Sequence, residues 1–194
     1  MNVGGNSMKR LLYFILFLHL ANPTFSQSDS ATVKIIDDAI RSRNGDDVII
    51  YVDSAFSYSG QLNPLVRKGG ISGYYKEQKT RIALKRSELK LINSQFKIKN
   101  RFVWPSNMFA NSFRISLDSI QNIFAESGSP VFSEKYQTRR FFLFTEPVFI
   151  RNKTIAVFRL AEMFGRSSGN DLFYFYKKSN GVWRHYMVCG LGAW

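Results

Sequence analysis

The chain has 194 residues and is strongly basic, with 27 Lys and Arg against 14 Asp and Glu and a formal net charge of +13. This excess predicts attraction to polyanions such as anionic lipid headgroups, acidic glycans or nucleic acid, and it carries no information about fold. The one cysteine, Cys189, excludes an internal disulfide, so stability has to come from packing, for which the 15% of aromatic residues supply material.

The start of the chain has the pattern of an export signal. Lys9 and Arg10 form its basic part, and Leu11–Ala21 is its apolar run. Thr24 and Ser26 are the small residues before the expected cleavage site. We therefore expect residues 1–26 to be a signal peptide, or its equivalent starting at Met8. Residues 27–194 are then expected to form a single exported domain, periplasmic or extracellular, with no further transmembrane helix. A retained membrane anchor is the alternative, although the apolar run is short for a span.

The first part of this domain predicts a helix, a strand and a long loop. Apolar residues at helical spacing predict an amphipathic helix over Ala31–Arg43 that ends at Asn44 and Gly45. The β-branched run Asp47–Val52 predicts a short strand buried on both faces. Ser54–Tyr75 is rich in Gly, Ser and Tyr and predicts an irregular excursion.

Two more helices are predicted before residue 139. Ser87 is placed to cap the first, and Ser116 to cap the second, which is expected to stop by Gly128. The apolar face of the first helix is Leu89, Ile92 and Phe96, and that of the second is Leu117, Ile120, Ile123 and Phe124. Between these helices, Trp104 is expected to be a core residue.

Everything after residue 138 predicts strands. They are expected at Arg139–Glu146, Val148–Ile150, Thr154–Met163, Leu172–Lys178 and Val182–Cys189. Strands joined by such short turns run antiparallel. Helices followed by an antiparallel meander predict an α+β domain in which the helices pack on one face of the sheet.

The last hairpin is unusually aromatic. A two-residue type I′ turn at Asn180 and Gly181 pairs Tyr176 with His185 and Tyr174 with Met187. This register sorts the side chains into one face with Tyr174, Tyr176, Trp183 and His185, and another with Phe173, Phe175, Tyr186 and Val188. The Phe face is expected to meet the helices. The Tyr, Trp and His face is expected under a loop or at the surface, where it would be a docking face for an accessory subunit.

Residues 144–183 resemble a group of small exported bacterial proteins of unknown function. The pattern of that group is a Pro-Phe strand, an Ala-bearing strand, a Gly loop and a Lys-x-Asn-Gly-x-Trp hairpin. The matching segments here are Phe144–Phe149, Thr154–Phe158, Gly165–Gly169 and Tyr176–Trp183. The Gly loop often carries cysteines in that group and has none here. The helix-then-sheet order is also similar to the curled sheets of nuclear-transport-factor-2-like and cystatin-like domains, a likeness of fold that supplies no activity.

Catalytic and metal-binding residues are scarce. His185 is the only histidine after the signal, which disfavours a zinc site, and it is expected to stack on Tyr176 rather than act as a base. Cys189 lies four residues further along the strand, about 13 Å away at ~3.3 Å per residue, too far for a Cys-His dyad, and is expected to be a buried hydrophobe. We expect no cofactor and no catalytic residue. The alternative is a hydrolase whose carboxylates, Glu146, Glu162 and Asp171, act in a pocket between helices and sheet.

The charge is concentrated in one segment. Residues 76–101 hold nine basic residues against Glu77 and Glu88. The anion-binding residues expected from this cluster are Lys85, Arg86, Lys97, Lys99 and Arg101, to which the hairpin adds Tyr174, Tyr176, Trp183 and His185. The alternative is a solvated helix face that keeps the protein soluble. The sequence thus predicts a non-catalytic binding or envelope-associated domain whose partner is an anionic ligand or envelope component. Nucleic acid is disfavoured because no nucleic-acid module is recognised.

Overall fold

A computed structural model describes residues 30–55, 62–67, 69–97, 103–126, 128–165 and 168–193. From Ala31 onwards, the described residues form one compact unit. The predicted signal peptide lies outside the described residues, so export stays a prediction. Over the described ranges, no helix is both long and apolar enough to cross a membrane.

The described part of the chain contains four α-helices and one ten-stranded sheet. The helices are α1 (Ser30–Asn44), α2 (Arg86–Lys97), α3 (Leu117–Glu126) and α4 (Gly128–Tyr136), with a short 3-10 turn at Asn63–Leu65. The strands are β1 (Ile49–Val52), β2 (Val66–Arg67), β3 (Gly70–Tyr75), β4 (Gln78–Ala83), β5 (Ser112–Ile115), β6 (Phe141–Phe144), β7 (Val148–Ile150), β8 (Ile155–Met163), β9 (Gly169–Ser179) and β10 (Val182–Ala193). The α+β class is therefore confirmed.

The sheet is mixed and mostly antiparallel. Its strand order is β2-β3-β10-β9-β8-β6-β1-β5, with β4 on β3 and β7 on β8. The predicted meander is confirmed, because β6, β8, β9 and β10 pair antiparallel. Two parallel pairings, of β1 with β5 and with β6, were not predicted. The expectation of a curled sheet is wrong, since the sheet is not curled and extends beyond the meander at both ends.

The first helix and strand match their predictions. Helix α1 ends where Gly45 takes a left-handed φ of 62° and donates its N–H to the Arg41 carbonyl at 2.9 Å. This is the glycine stop that the Asn-Gly pair predicts. Strand β1 is buried along its whole length, as its β-branched composition predicts. Trp104 is also fully buried, as expected.

The irregular excursion predicted over Ser54–Tyr75 is wrong where the structure describes it. Strands β2 and β3 occupy much of its second half, and β3 forms a hairpin with β4. The hairpin turn is built from Lys76 and Glu77, with φ values of 45° and 67°. Non-glycine residues adopt this conformation infrequently. The Asn-Gly pair that usually signals such a turn is absent here, so the sequence did not predict the hairpin.

The helix starts confirm one predicted cap and correct another. Ser116 Oγ accepts the Ser119 N–H at 3.1 Å, which is the predicted N-cap of α3. Ser87 instead lies inside the first turn of α2, where the Glu88 carboxylate accepts the Lys85 N–H at 2.8 Å. Gly128, expected only to end a helix, begins α4, which was not predicted.

Both faces of the sheet are covered, rather than one. On β8, Phe158 and Leu160 pack against the buried residues of α1. We name this group of helix and strand residues the α1 cluster. From the opposite face, Val157 packs with the α2 cluster around Ile92 and Phe96. Further along that face, Ala161 and Met163 pack with the α3–α4 cluster around Ile120 and Phe132. Successive residues of a strand point to opposite faces, so one buried strand serves both layers.

The aromatic hairpin has the predicted turn and register as far as His185. Val182 pairs with Ser179, Trp183 with Lys178 and His185 with Tyr176. A bulge between His185 and Met187 then shifts the register, so Tyr174 pairs with Val188 and Phe175 with Met187. Val188 consequently packs on the α1 cluster with the tyrosines, and Met187 joins the Phe side, which reverses the two predicted placements.

Candidate functional site

Tyr174 and Tyr176 of the last hairpin lie in the core beneath α1. Tyr174 is 2% and Tyr176 is 1% exposed. The Tyr176 hydroxyl donates a hydrogen bond of 2.5 Å to Asp38 Oδ2 on α1, and burial raises the pKa of Tyr176. The exposed docking face expected from these two rings is not found, because α1 occupies that side of the sheet.

His185 completes this aromatic group from β10. Its ring lies 5.4 Å from the rings of Tyr174 and Tyr176 and meets Tyr75 edge-on at 5.3 Å. The side chain is half-buried, and its Nε2 atom has no hydrogen-bond partner among the described residues. Burial lowers the pKa of His185, although the Met187 backbone and the Asp38 charge act against this shift. The stacking of the His185 ring on Tyr176 is the contact that the sequence predicted.

Trp183 and Cys189 lie apart from this group. Trp183 is half-buried, packs on Phe149 with ring centroids 5.6 Å apart and holds Lys178 Nζ at 5.7 Å over its ring. Cys189 is a buried hydrophobe, as predicted, and burial raises the pKa of its thiol to about 12. No group of three or more His, Cys, Asp or Glu residues that could hold a metal ion occurs among the described residues.

Glu162 is a buried carboxylate surrounded by cationic and amide groups. It is 2% exposed, accepts a 2.7 Å hydrogen bond from Arg43 Nε and lies 3.4 Å from Arg140 Nη1. Asn170 donates a further bond at 3.3 Å. A carboxylate held by two guanidinium groups stabilises the packing of α1 on the sheet, and its charge is already compensated.

Asp171 lies on the opposite face of the sheet from Glu162. It pairs with Ala161 in the β8–β9 register and binds the buried Arg159 guanidinium through both carboxylate oxygens. Because Glu162 follows Ala161 on the same strand, the two carboxylates project to opposite sides. Glu146, beyond the end of β6, is exposed. The sheet therefore separates Glu162 from Asp171, and each has an arginine partner.

The predicted anion-binding residues fall into two groups. Lys85, Arg86 and Lys97 are exposed at the two ends of α2, and Lys99 and Arg101 lie outside the described residues. Lys90, also exposed, belongs with them, because a helix places Arg86, Lys90 and Lys97 within about 40° of one another at 3.6 residues per turn. We name these three residues the basic stripe. The i, i+4 spacing of its first two members is a signal in the sequence.

The acidic residue of α2 lies on the other side of the helix. Glu88 is about 160–180° around the axis from the basic stripe. It receives hydrogen bonds of 2.8 and 3.1 Å from Arg151, which lower the pKa of Glu88. Across the ranges that the structure describes, no member of the basic stripe makes a salt bridge.

The basic residues of β4 face elsewhere. Lys79 and Arg81 alternate with Ile82, which packs in the α2 cluster, so both project from the face of the sheet away from α2. Charges on such an edge strand discourage pairing with other chains. The basic segment of the sequence is thus divided between two faces of the fold.

A cavity of about 490 Å³ lies between α3 and the sheet. We name it the apolar cavity. Its lining among the described residues, which includes no carboxylate, is Leu117, Ile120, Gln121, Asn122, Phe124, Ala125, Phe141, Leu143, Ala161, Met163 and Gly165. The carboxylates proposed for a hydrolase therefore do not line this pocket between helix and sheet.

Comparison with known proteins assigns neither a family nor a function to this chain. No family model matches the chain, and neither a curated protein nor a solved structure matches it.

Proposed function

We propose that this chain is an exported, non-catalytic binding domain that holds an anionic partner of the cell envelope along the basic stripe of α2. The observation that carries this proposal is the segregation of charge on that helix. Arg86, Lys90 and Lys97 share one exposed side, while Glu88 is held on the other side by Arg151.

The dimensions suit an extended partner. Arg86 and Lys97 are eleven residues apart, which corresponds to about 16 Å along a helix at 1.5 Å per residue. Three cations along such a line attract a chain or a surface that carries repeated negative charges, and they do so in a salt-sensitive manner. The predicted signal peptide and the resemblance to exported bacterial proteins support an envelope location.

The chemistry of the carboxylates favours binding over hydrolysis. A retaining or inverting pair requires two carboxyl groups that face one another across a substrate. Glu162 and Asp171 lie on opposite faces of the sheet, and each is paired with arginine. The first pair joins α1 to the sheet and the second joins the adjacent strands β8 and β9, which supports a structural role for both carboxylates.

The proposal is tested by comparing two variants of equal net charge, of which one lacks the basic stripe. A triple variant with Arg86, Lys90 and Lys97 changed to Gln is compared with one in which Lys34, Lys135 and Arg184, all exposed elsewhere, are changed to Gln. The stripe variant should elute from immobilised heparin at lower salt and bind vesicles containing anionic lipid more weakly. The slope of log affinity against log salt should fall by roughly 2–3, close to one unit for each lost contact.

The control variant should retain affinity close to that of the wild-type chain. Equal losses in both variants would show that net charge alone attracts anions and would contradict a site on α2. Heparin and vesicles are used in parallel because a polymer and a lipid surface present the same charge in different shapes.

A further inference from the structure

The apolar cavity has the size and composition of a ligand site. Small-molecule sites commonly occupy about 300–1,000 Å³ and are lined mainly by hydrophobic side chains with a few polar groups. The cavity volume of about 490 Å³ lies within this range. Of the described lining side chains, eight are apolar, and Gln121 and Asn122 are the only polar ones.

A small residue on the floor leaves the cavity open. Ala161 pairs with Leu143 on one side and with Asp171 on the other, and it is flanked along β8 by larger residues. Its methyl group leaves space below α3 that a larger side chain would fill. Ala161 is 3% exposed, so the floor belongs to the core, while Leu117 at the mouth is 39% exposed.

The walls of the cavity are held by stacked rings. Phe124 stacks on Phe132 at 5.4 Å and contacts Phe141 at 5.9 Å, and Phe132 lies 5.6 Å from Phe141. These contacts connect α3, α4 and β6. Such interlocked rings restrain the helix from closing onto the strand, so the space is part of the packed structure.

Among the described residues, the lining carries no charged side chain, although the chain has 27 Lys and Arg and 14 Asp and Glu residues. A charged ligand group would lose its hydration there without gaining an ionic partner. The two amides, Gln121 and Asn122, are adjacent on an exposed turn of α3 and can donate and accept hydrogen bonds. The lining therefore complements an uncharged molecule with a hydrogen-bonding end.

We propose that the apolar cavity binds a small neutral amphiphile, a single hydrocarbon chain that ends in a hydroxyl or similar uncharged polar group. The hydrocarbon lies along Ala161, Phe141 and Met163, and the polar end meets Gln121 and Asn122. This site is independent of the basic stripe, since α2 packs in a different cluster, so either activity can fail without the other.

The test uses N-phenyl-1-naphthylamine, a neutral fluorescent probe, with the full mature chain. Saturable binding is expected, with displacement by 1-decanol and at least about tenfold weaker displacement by decanoate, because the described lining residues include no cation for the carboxylate. Ala161→Leu fills the floor and should weaken probe binding at least about tenfold. Leu117→Trp narrows the mouth and is the second variant, because Leu117 is partly exposed and tolerates replacement more readily.

Ala83→Leu adds the same atoms at an exposed position outside the cavity and should leave probe binding unchanged. The proposal is overturned if no saturable binding occurs, if decanoate displaces the probe as well as decanol does, or if both cavity variants bind normally. It is also overturned if sedimentation shows a concentration-dependent dimer that Leu117→Trp abolishes, because a second copy of the chain would then occupy the cavity.

Discussion

His185 is half-buried among three tyrosine rings, and its Nε2 atom lacks a hydrogen-bond partner among the described residues. Burial lowers the pKa of this imidazole from its ordinary value of 6.5. The unfolded chain therefore takes up a proton at a higher pH than the folded chain does. The contribution of neutral His185 to the free energy of unfolding is fully present above the pKa of His185 in the unfolded chain. It is lost as the pH falls through the lower pKa of His185 in the folded chain.

We expect the free energy of unfolding to decrease on acidification from about pH 7.5 to about pH 5, and to decrease less in His185→Gln, which cannot take up this proton. Urea denaturation at both pH values measures the difference. The comparison between the two chains removes the contribution of other groups. An identical decrease in both chains would mean that the folded and unfolded pKa values of His185 are equal.

At the scale of single elements, α2 and α3 begin with different capping groups. Helix α3 has a serine cap, in which Ser116 Oγ accepts the Ser119 N–H, whereas α2 uses the Glu88 carboxylate. Ser87 has no capping bond among the described hydrogen bonds. The two serines are therefore a matched pair for testing the assignment of the caps.

Ser116→Ala should lower the free energy of unfolding by about 1 kcal/mol, the usual cost of losing a serine cap. Ser87→Ala should change it by less than about 0.5 kcal/mol, because alanine is a better helix former than serine and no cap is lost. Urea unfolding of the two variants and the wild-type chain provides the measurement. A larger loss for Ser87→Ala than for Ser116→Ala would contradict the cap positions.

The sequence predicted structural features well where the contacts that form them join residues close together in the chain. The α1 stop at Gly45, the α3 cap at Ser116 and the turn at Asn180 and Gly181 depend on residues within a few positions of one another. The bulge at Tyr186 does not, because it is set by how β10 packs against its neighbours. Pairing beyond His185 was therefore predicted one residue out of register.

The ten-stranded sheet narrows where β3 meets β10. The pairing there is the Val188–Tyr74 contact, which joins the β2–β4 part of the sheet to the meander. Gly73 lies against it, and a β-carbon at this position would be 2.3 Å from the Val188 carbonyl oxygen. Only a residue without a side chain permits this approach of the two backbones.

Gly73→Ala should destabilise the protein by about 2–3 kcal/mol, because the added carbon would collide with rigid backbone of the adjacent strand. The neighbouring exposed change Ser72→Ala should stay within about 0.5 kcal/mol of the wild-type chain. Thermal and urea unfolding measure both. Near-normal stability of Gly73→Ala would show that β3 and β10 are able to separate at little cost.

The candidate sites were only partly predictable. The basic residues of α2 follow from composition and helical spacing. The apolar cavity does not, because its floor, wall and mouth come from β6, β8 and α3, and their alignment depends on long-range pairing. The burial of Tyr174 and Tyr176 under α1 has the same origin, since Asp38 and Tyr176 are 138 residues apart.

The α+β class, the antiparallel meander and the excess of positive charge follow from the sequence, because they depend on composition and on contacts between near neighbours. The coverage of both sheet faces, the parallel pairing of β1, the separation of Glu162 from Asp171 and the division of the basic segment are visible only in the folded protein. The physical reason is that strand pairing and layer packing join residues far apart in the chain, where local patterns leave many arrangements equally favourable.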